Sequence, residues 1–292
     1  MELTFGEKTW LMGILNVTPD SFSGDGLATP GRSDGEVLAA ALEQARTFVE
    51  AGAEILDVGG ESTRPRHVYG DRPAVDAAAE ASRVVPVVAA LAREFAGRAL
   101  VSIDTSKGDV AAAALAAGAS IVNDVWGGRR DPGTAIAAAE AGAHLVVMHN
   151  SEQPHSGSGL TEAVIAWLAA AVEAAMGVGV ARHRFLVDPG IGFGKTLEQN
   201  LELLHRLGEI KAALGLPLLV GTSRKRFLGE LLGGAAPDDR VEGTAASVAL
   251  AIAAGADVVR VHDIAAVART IRVSDAIVRR RPDGGVRQAP QP

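Results

Sequence analysis

Eight times along this chain a short apolar run stops at a polar or small residue, and a longer stretch of helical periodicity follows it. Trp10 to Leu15 stops at Asn16; Ala53 to Val58, carrying Asp57, stops at Gly59-Gly60; Leu100 to Ile103 stops at Asp104. Ile121-Val122 reaches Asn123-Asp124, His144 to Met148 reaches His149, and Phe185 to Val187 reaches Asp188. Leu216 to Val220 leads to Gly221-Thr222-Ser223-Arg224-Lys225-Arg226, and Val258-Val259 leads to Arg260, Val261, His262 and Asp263. Strands that alternate with helices pair in parallel, since each return crossing is made by a helix. Gly-Ala pairs recur just before strands (Gly52-Ala53, Gly118-Ala119, Gly142-Ala143, Gly255-Ala256), as helix C-caps entering a barrel would. The expected fold is α/β, a single-domain (β/α)8 barrel over residues 1–280, with functional groups at the C-terminal strand ends. A doubly wound open sheet is the alternative. The Pro-, Gly- and Gln-containing residues 281–292 read as a flexible tail.

Local signals refine this. Ser33 or Asp34 caps a helix whose stripe is Val37, Ala41, Ala45 and Phe48. The helix bearing Val84, Val88, Leu91 and Phe95 contains Pro86, which predicts a kink or a late start. Aromatics are only 4% of residues against 48% apolar overall, so Val, Leu, Ile and Ala must build the core. There are no cysteines, which excludes disulfides and thiolate chemistry. A net charge of −7 argues against a nucleic-acid or lipid surface as partner, yet the cations at 224–226 leave room for an anionic small molecule. No run reaches the roughly 18 apolar residues of a membrane span, and no signal peptide is legible, so the cytoplasm is the expected location.

The strand-end residues suggest chemistry. Asp104 and Asp188, withdrawn from water at a barrel mouth, can each accept paired hydrogen bonds from an amidine-like edge such as that of a pterin or guanine, and Asn123 can read more of that edge. The competing reading is helix capping, for which Asp104 before Thr105-Ser106-Lys107 is placed. Lys225, Arg260, His262 and Arg64 would converge on an anion only in a closed barrel; structural ion pairing is the alternative for Arg224 and Arg226. A Schiff-base role for Lys225 finds no other support in the sequence. Asn16 can ligate a hard cation whose remaining ligands come from substrate phosphate. Gly194-Lys195-Thr196 ends like a nucleotide-binding P-loop, but Pro189 stands where that motif needs glycine. The segment reads instead as a mobile glycine-rich lid with Phe193 as its apolar cover.

Four segments in order resemble dihydropteroate synthases: Asn16-Val17-Thr18-Pro19-Asp20-Ser21-Phe22-Ser23, Gly59-Gly60-Glu61-Ser62-Thr63-Arg64-Pro65, Asp188-Pro189-Gly190 with Gly192-Phe193-Gly194-Lys195, and Gly221-Thr222-Ser223-Arg224-Lys225. The resemblance runs from Trp10 to Ile271. It implies a homodimeric barrel that joins 7,8-dihydropterin-6-ylmethyl diphosphate to p-aminobenzoate, giving 7,8-dihydropteroate and pyrophosphate with Mg2+. It further implies a pterin set of Asp104, Asn123, Asp188 and Lys225, and a diphosphate and Mg2+ set of Asn16, Arg64, Arg260 and His262. Phe22, Thr63, Pro65, Phe193 and Ser223 correspond to the p-aminobenzoate pocket, which in that family is the sulfonamide pocket. Asp104, Lys225, Arg260 and His262 are the expected catalytic residues, and loops 17–33 and 61–72 are expected to close over the site. Three departures stand out: Arg66 where glycine is usual, the Gly- and Ser-rich stretch Asn150 to Gly159, and the order Ser23-Gly24-Asp25-Gly26. A corrinoid-dependent methyltransferase and a non-catalytic pterin binder are the rival readings.

Overall fold

A computed structural model describes residues 1–18, 26–28, 31–61 and 75–280. Eight parallel strands run in the order β6-β5-β4-β3-β2-β1-β8-β7. They are β1 (Trp10–Asn16), β2 (Ile55–Gly59), β3 (Leu100–Asp104), β4 (Ile121–Asp124), β5 (His144–Met148), β6 (Phe185–Asp188), β7 (Leu219–Val220) and β8 (Val258–Val261). A parallel bridge between Val187 and Leu218 joins the two ends of this order, so the sheet closes into the expected barrel. The seventh strand is shorter than the run from Leu216 suggested. Pro217 has no N–H to give to a ladder, and its carbonyl serves only as acceptor for Val187 N at 2.9 Å.

Ten α-helices are described: α1 (Asp34–Glu50), α2 (Ala77–Glu94), α3 (Gly108–Ala116), α4 (Gly133–Ala141), α5 (Leu160–Gly177), α6 (Leu197–His205), α7 (Leu207–Leu214), α8 (Arg226–Leu231), α9 (Val241–Ala253) and α10 (Ile264–Val278). Ser33 starts α1 through a capping box with Glu36, and the predicted stripe Val37, Ala41, Ala45 and Phe48 is the buried one. In α2 the late start expected from Pro86 does not occur: the helix begins at Ala77 and carries Pro86 within it. Pro86 lies on the exposed face, where water can satisfy the carbonyl that its missing N–H leaves free. Gly52, Gly118, Gly142 and Gly255 all have left-handed φ, which is why glycine recurs at the helix-to-strand turns.

One expectation fails on composition. α5 is 18 residues long with mean hydropathy 1.4, long and apolar enough to cross a membrane by those two measures. It escapes notice as an uninterrupted run because Thr161, Glu162 and Glu173 break it. Its buried residues Leu160, Thr161, Val164, Leu168, Val172 and Ala175 recur at helical spacing and form the face packed into the main core.

The strands divide their side chains by a period of two. Outward residues such as Leu56, Val101, Val122 and Val259 join the helices in the main core. Inward residues Trp10, Met12, Ile55, Ile121, Val146, Leu186, Leu219 and Val258 form a separate cluster inside the barrel, with Leu3 packed into it. This hydrocarbon layer is the floor on which the site stands.

Candidate active site

Two residues further along the inward face, hydrocarbon gives way to polar groups. Ile55 is succeeded by Asp57, Ile121 by Asn123, Leu186 by Asp188, and Val258 by Arg260, while β3 contributes Ser102 and Asp104. Strand register places Asp57 beside Ser102 and Asp104 beside Asn123. Asp57, Asp104, Asn123 and Asp188 are all buried, so their charges and dipoles must be answered from within the barrel.

Arg260 answers two of them. Its Nε donates to Asp57 Oδ2 at 2.6 Å and its Nη2 to Asp104 Oδ2 at 2.7 Å. Asn123 Nδ2 donates to the same Asp57 oxygen at 3.0 Å, which fixes the amide's orientation. The second oxygens, Asp57 Oδ1 and Asp104 Oδ1, are buried without a protein donor. Asp104 therefore does not cap a helix. Its side chain is committed to Arg260, and the residue at the start of α3 is Lys107, which makes no side-chain cap. Asp124 is the carboxylate of this region that serves local backbone, accepting from Trp126 N, Gly128 N and Thr134 Oγ1.

Burial dominates the electrostatics. It pushes Asp104 up to about 7, against the pull of Arg260 and with added repulsion from Asp57. Asp188 is raised for the same reason, opposed by Lys225 and by the Gly190 N–H it accepts at 2.7 Å. Loss of water pulls Lys225 down to about 8, with Asp188 resisting. For Arg260 burial also acts downward, but Asp57 and Asp104 outweigh it and its pKa is raised. Acids and a base thus approach neutrality together, a pattern typical of functional sites.

The β7 and β8 ends meet beside this cluster. Ser223 Oγ lies 3.1 Å from His262 Nδ1 and accepts His262 N at 3.1 Å. Arg224 sits in the left-handed region at φ 58, unusual for a residue with a side chain. Its guanidinium is held on Asp263, with contacts of 3.1 and 2.5 Å, and its carbonyl accepts from Arg240 at 2.8 Å. The structural ion-pair reading therefore holds for Arg224, and for Arg226, which pairs with Glu230. Lys225 Nζ donates to the Ile191 carbonyl and lies 4.7 Å from the Phe193 ring centre.

The glycine-rich segment after β6 is pinned, which gives its glycines a different purpose from that of a mobile lid. A Cβ on Gly190 would lie 1.8 Å from His149 O, and one on Gly194 would lie 1.9 Å from Ser151 O. Gly192 N donates to Asn200 at 2.6 Å, and Phe193 N donates to Gly190 O at 3.1 Å. Lys195 Nζ donates to Gly190 O at 2.8 Å and Phe193 O at 2.9 Å, and stands 3.1 Å from His149 Nδ1. Removal from water draws Lys195 down to about 7, with Asp188 opposing. Thr196 is the N-cap of α6, so the Gly-Lys-Thr sequence forms no phosphate cradle here. The Asn150 to Gly159 stretch is tied in through Asn150 Nδ2 on Val125 O at 3.0 Å and His155 O on Gln199 Nε2 at 2.7 Å.

Of the expected site residues, Asp104, Asn123 and Arg260 join one bonded cluster through Asp57. Asp188, Lys225 and Phe193 meet on the β6 side, and Ser223 meets His262. Asn16 ends β1 in register with Gly59, at the same mouth. Phe22, Thr63, Arg64, Pro65 and Arg66 lie outside the described residues, as does most of the two loops expected to close and the 281–292 tail. Three features escaped the sequence reading. Asp57 sat inside an apolar run, although its period-two spacing from Ile55 marks it as inward. Lys107 bridges Glu61 and the buried Glu80, an association no spacing rule links. Lys195 was visible only as a motif ending.

Comparison with known proteins agrees with this geometry. Residues 12–262 match the pterin binding enzyme family. A dihydropteroate synthase of Bacillus subtilis is 43% identical over 97% of this chain and 93% of that protein. A Clostridium difficile dihydropteroate synthase, solved in the presence of pteroic acid, superposes with a TM-score of 0.85 at 42% identity, over 94% of this chain and 98% of that one. A Xanthomonas albilineans dihydropteroate synthase with 4-aminobenzoic acid gives a TM-score of 0.83 at 39% identity, over 93% of each chain. With a carboxylate-lined barrel mouth, a family match through β8 and close relatives along nearly its whole length, the chain belongs to the pterin-binding enzymes, as a member of the dihydropteroate synthases.

Proposed function

We propose that this enzyme condenses 7,8-dihydropterin-6-ylmethyl diphosphate with p-aminobenzoate, releasing pyrophosphate and forming 7,8-dihydropteroate. The observation that carries this reading is the meeting of buried Asp104, Asn123 and Asp188 with half-buried Lys225 and Arg260 at one barrel mouth. Carboxylate oxygens without protein donors suit the adjacent N–H groups of a pterin edge. A methyltransferase would share those carboxylates but would not need the anion set of Thr63-Arg64-Pro65 and Ser223-Arg224-Lys225.

The pterin lies on the hydrocarbon floor, with Asp104, Asn123 and Asp188 reading its edge and Lys225 facing its acceptors. This places the exocyclic methylene toward the mouth. The C–O bond to diphosphate breaks there, and the pterin cation that develops is offset by Asp57 and Asp104. Arg260 and His262, with Arg64 from the second loop, receive the diphosphate charge. Among the described residues no group of three or more His, Asp or Glu could hold a metal by itself. Asn16 at the end of β1 would hold Mg2+ through its amide oxygen, and the ion when bound would supply charge neutralisation for the leaving diphosphate. The arylamine needs orientation more than deprotonation; Phe193 and Ser223 provide it, with Phe22, Thr63 and Pro65 completing the pocket. Its nitrogen attacks the methylene and then loses a proton to solvent.

Lys225→Ala is the test within the site. It should lower kcat/KM at least 100-fold in a dihydropteroate assay while the protein remains folded; unchanged turnover would remove Lys225 from the mechanism. A homodimer is part of the same reading. Leu250 on α9 and Val273 and Ile277 on α10 are 60–73% exposed on two helices that pack together, a surface suited to a second copy. Ile277→Glu should convert dimer to monomer in sedimentation, and a wild-type monomer at micromolar concentration would contradict the assembly.

A further inference from the structure

We propose that Lys195 is a positioning residue whose side-chain nitrogen fastens the Gly190–Phe193 turn and so sets the aromatic wall against which the arylamine lies. This rests on the reaction proposed above. With a pKa drawn down to about 7, Lys195 Nζ has three donors in its protonated form and two in its neutral form. Three acceptors stand within 2.8–3.1 Å of it: Gly190 O, Phe193 O and His149 Nδ1. Two of them are the first and last carbonyls of one turn, already closed by Phe193 N on Gly190 O. The third belongs to the neighbouring strand end. His149 can accept because its imidazole is neutral: burial first, and then Lys195, depress its pKa to about 3. Its ring packs edge-on to Trp167 at 5.1 Å, so this anchor is itself fixed.

The turn connects two functional groups. Its Ile191 carbonyl accepts Lys225, and its Phe193 ring lies beside the same ammonium. Left-handed backbone at Gly190 and Gly194 presses the segment against His149 O and Ser151 O, while Gly192 stands against the Lys225 side chain. Asp188 and Asn200 accept the Gly190 and Gly192 N–H groups, and Lys195 ties down the turn's carbonyls at Gly190 and Phe193. Lys225 is also held by the charge of Asp188, whereas the Phe193 carbonyl is held by Lys195 itself, so loss of Lys195 should reach the arylamine before the pterin.

The test is Lys195→Met, which keeps length and removes the donors. Expected is a rise of about tenfold in KM for p-aminobenzoate, with kcat at saturating arylamine and the Kd of the pterin diphosphate each within about threefold of wild type. An unshifted arylamine KM, or an equal loss in kcat and pterin affinity, overturns the proposal. Should Lys195→Met fail to fold, His149→Ala removes one acceptor and should raise the same KM about threefold; no change there also overturns it. Wild-type protein without turnover would bring down the reaction and this proposal together, whereas an active wild type with unshifted variants would bring down the proposal alone.

Discussion

Asp104 shows what a single residue can carry in this fold. Buried beside Asp57 and held by Arg260, it titrates near 7 rather than near 4, so free enzyme at neutral pH is divided between acid and carboxylate. Only the carboxylate accepts two N–H donors from a pterin edge. The Kd of a phosphate-free dihydropterin should therefore fall as pH rises through about 7 in calorimetric titration. Asp104→Asn should bind weakly and without that dependence; a pH-independent wild-type Kd would show that the carboxylate does not read the ligand. The linkage to stability has the opposite sign. Because the folded pKa lies above the unfolded value, the folded state binds more protons between about 4 and 7, and this group's contribution to stability falls as pH rises across that interval. Asp104 was legible in the sequence because a charge ending an apolar strand has few bland explanations. Asp57 was not, since a charge inside such a run looks like an interruption until the alternation around Ile55 is followed.

At the scale of elements, the segment after β6 shows how backbone alone can specify sequence. Gly190 and Gly128 both have positive φ, 72 and 77 degrees, so alanine strains either one. Only at Gly190 would the new methyl also strike a carbonyl, 1.8 Å away, whereas nothing lies within 4 Å at Gly128. Gly128→Ala should cost about 1 kcal/mol and Gly190→Ala more than about 3 kcal/mol in chemical denaturation. Equal costs would mean that the segment does not pack as described. Sequence reading located this loop and its Phe193 but took the glycines for freedom of movement, because close approach between chain segments leaves no local mark. Two other elements were misjudged for local reasons. Pro86 suggested a kink or a late start, and the late start does not occur because an exposed proline costs a helix only a bond that water can replace. β7 looked long because Leu216 and Leu218 are apolar, but Pro217 between them cannot donate.

For the whole molecule, the eightfold repetition of strand and helix was enough to predict a closed barrel, and closure is what gathers residues such as Asp57 and Arg260, 203 positions apart, onto one mouth. The floor of hydrocarbon beneath them, the polar layer above and the cations on β7 and β8 make a site that is costly to maintain empty and suited to a flat, hydrogen-bonding ligand with an anionic tail. The ionisation and capture of such a ligand at this mouth can be followed as pyrophosphate release with purified protein, dihydropterin diphosphate and Mg2+, with and without p-aminobenzoate. Stoichiometric pyrophosphate and dihydropteroate are expected when the arylamine is present, and much slower pyrophosphate release when it is absent. Tight pterin binding with no pyrophosphate under either condition would contradict this chemistry.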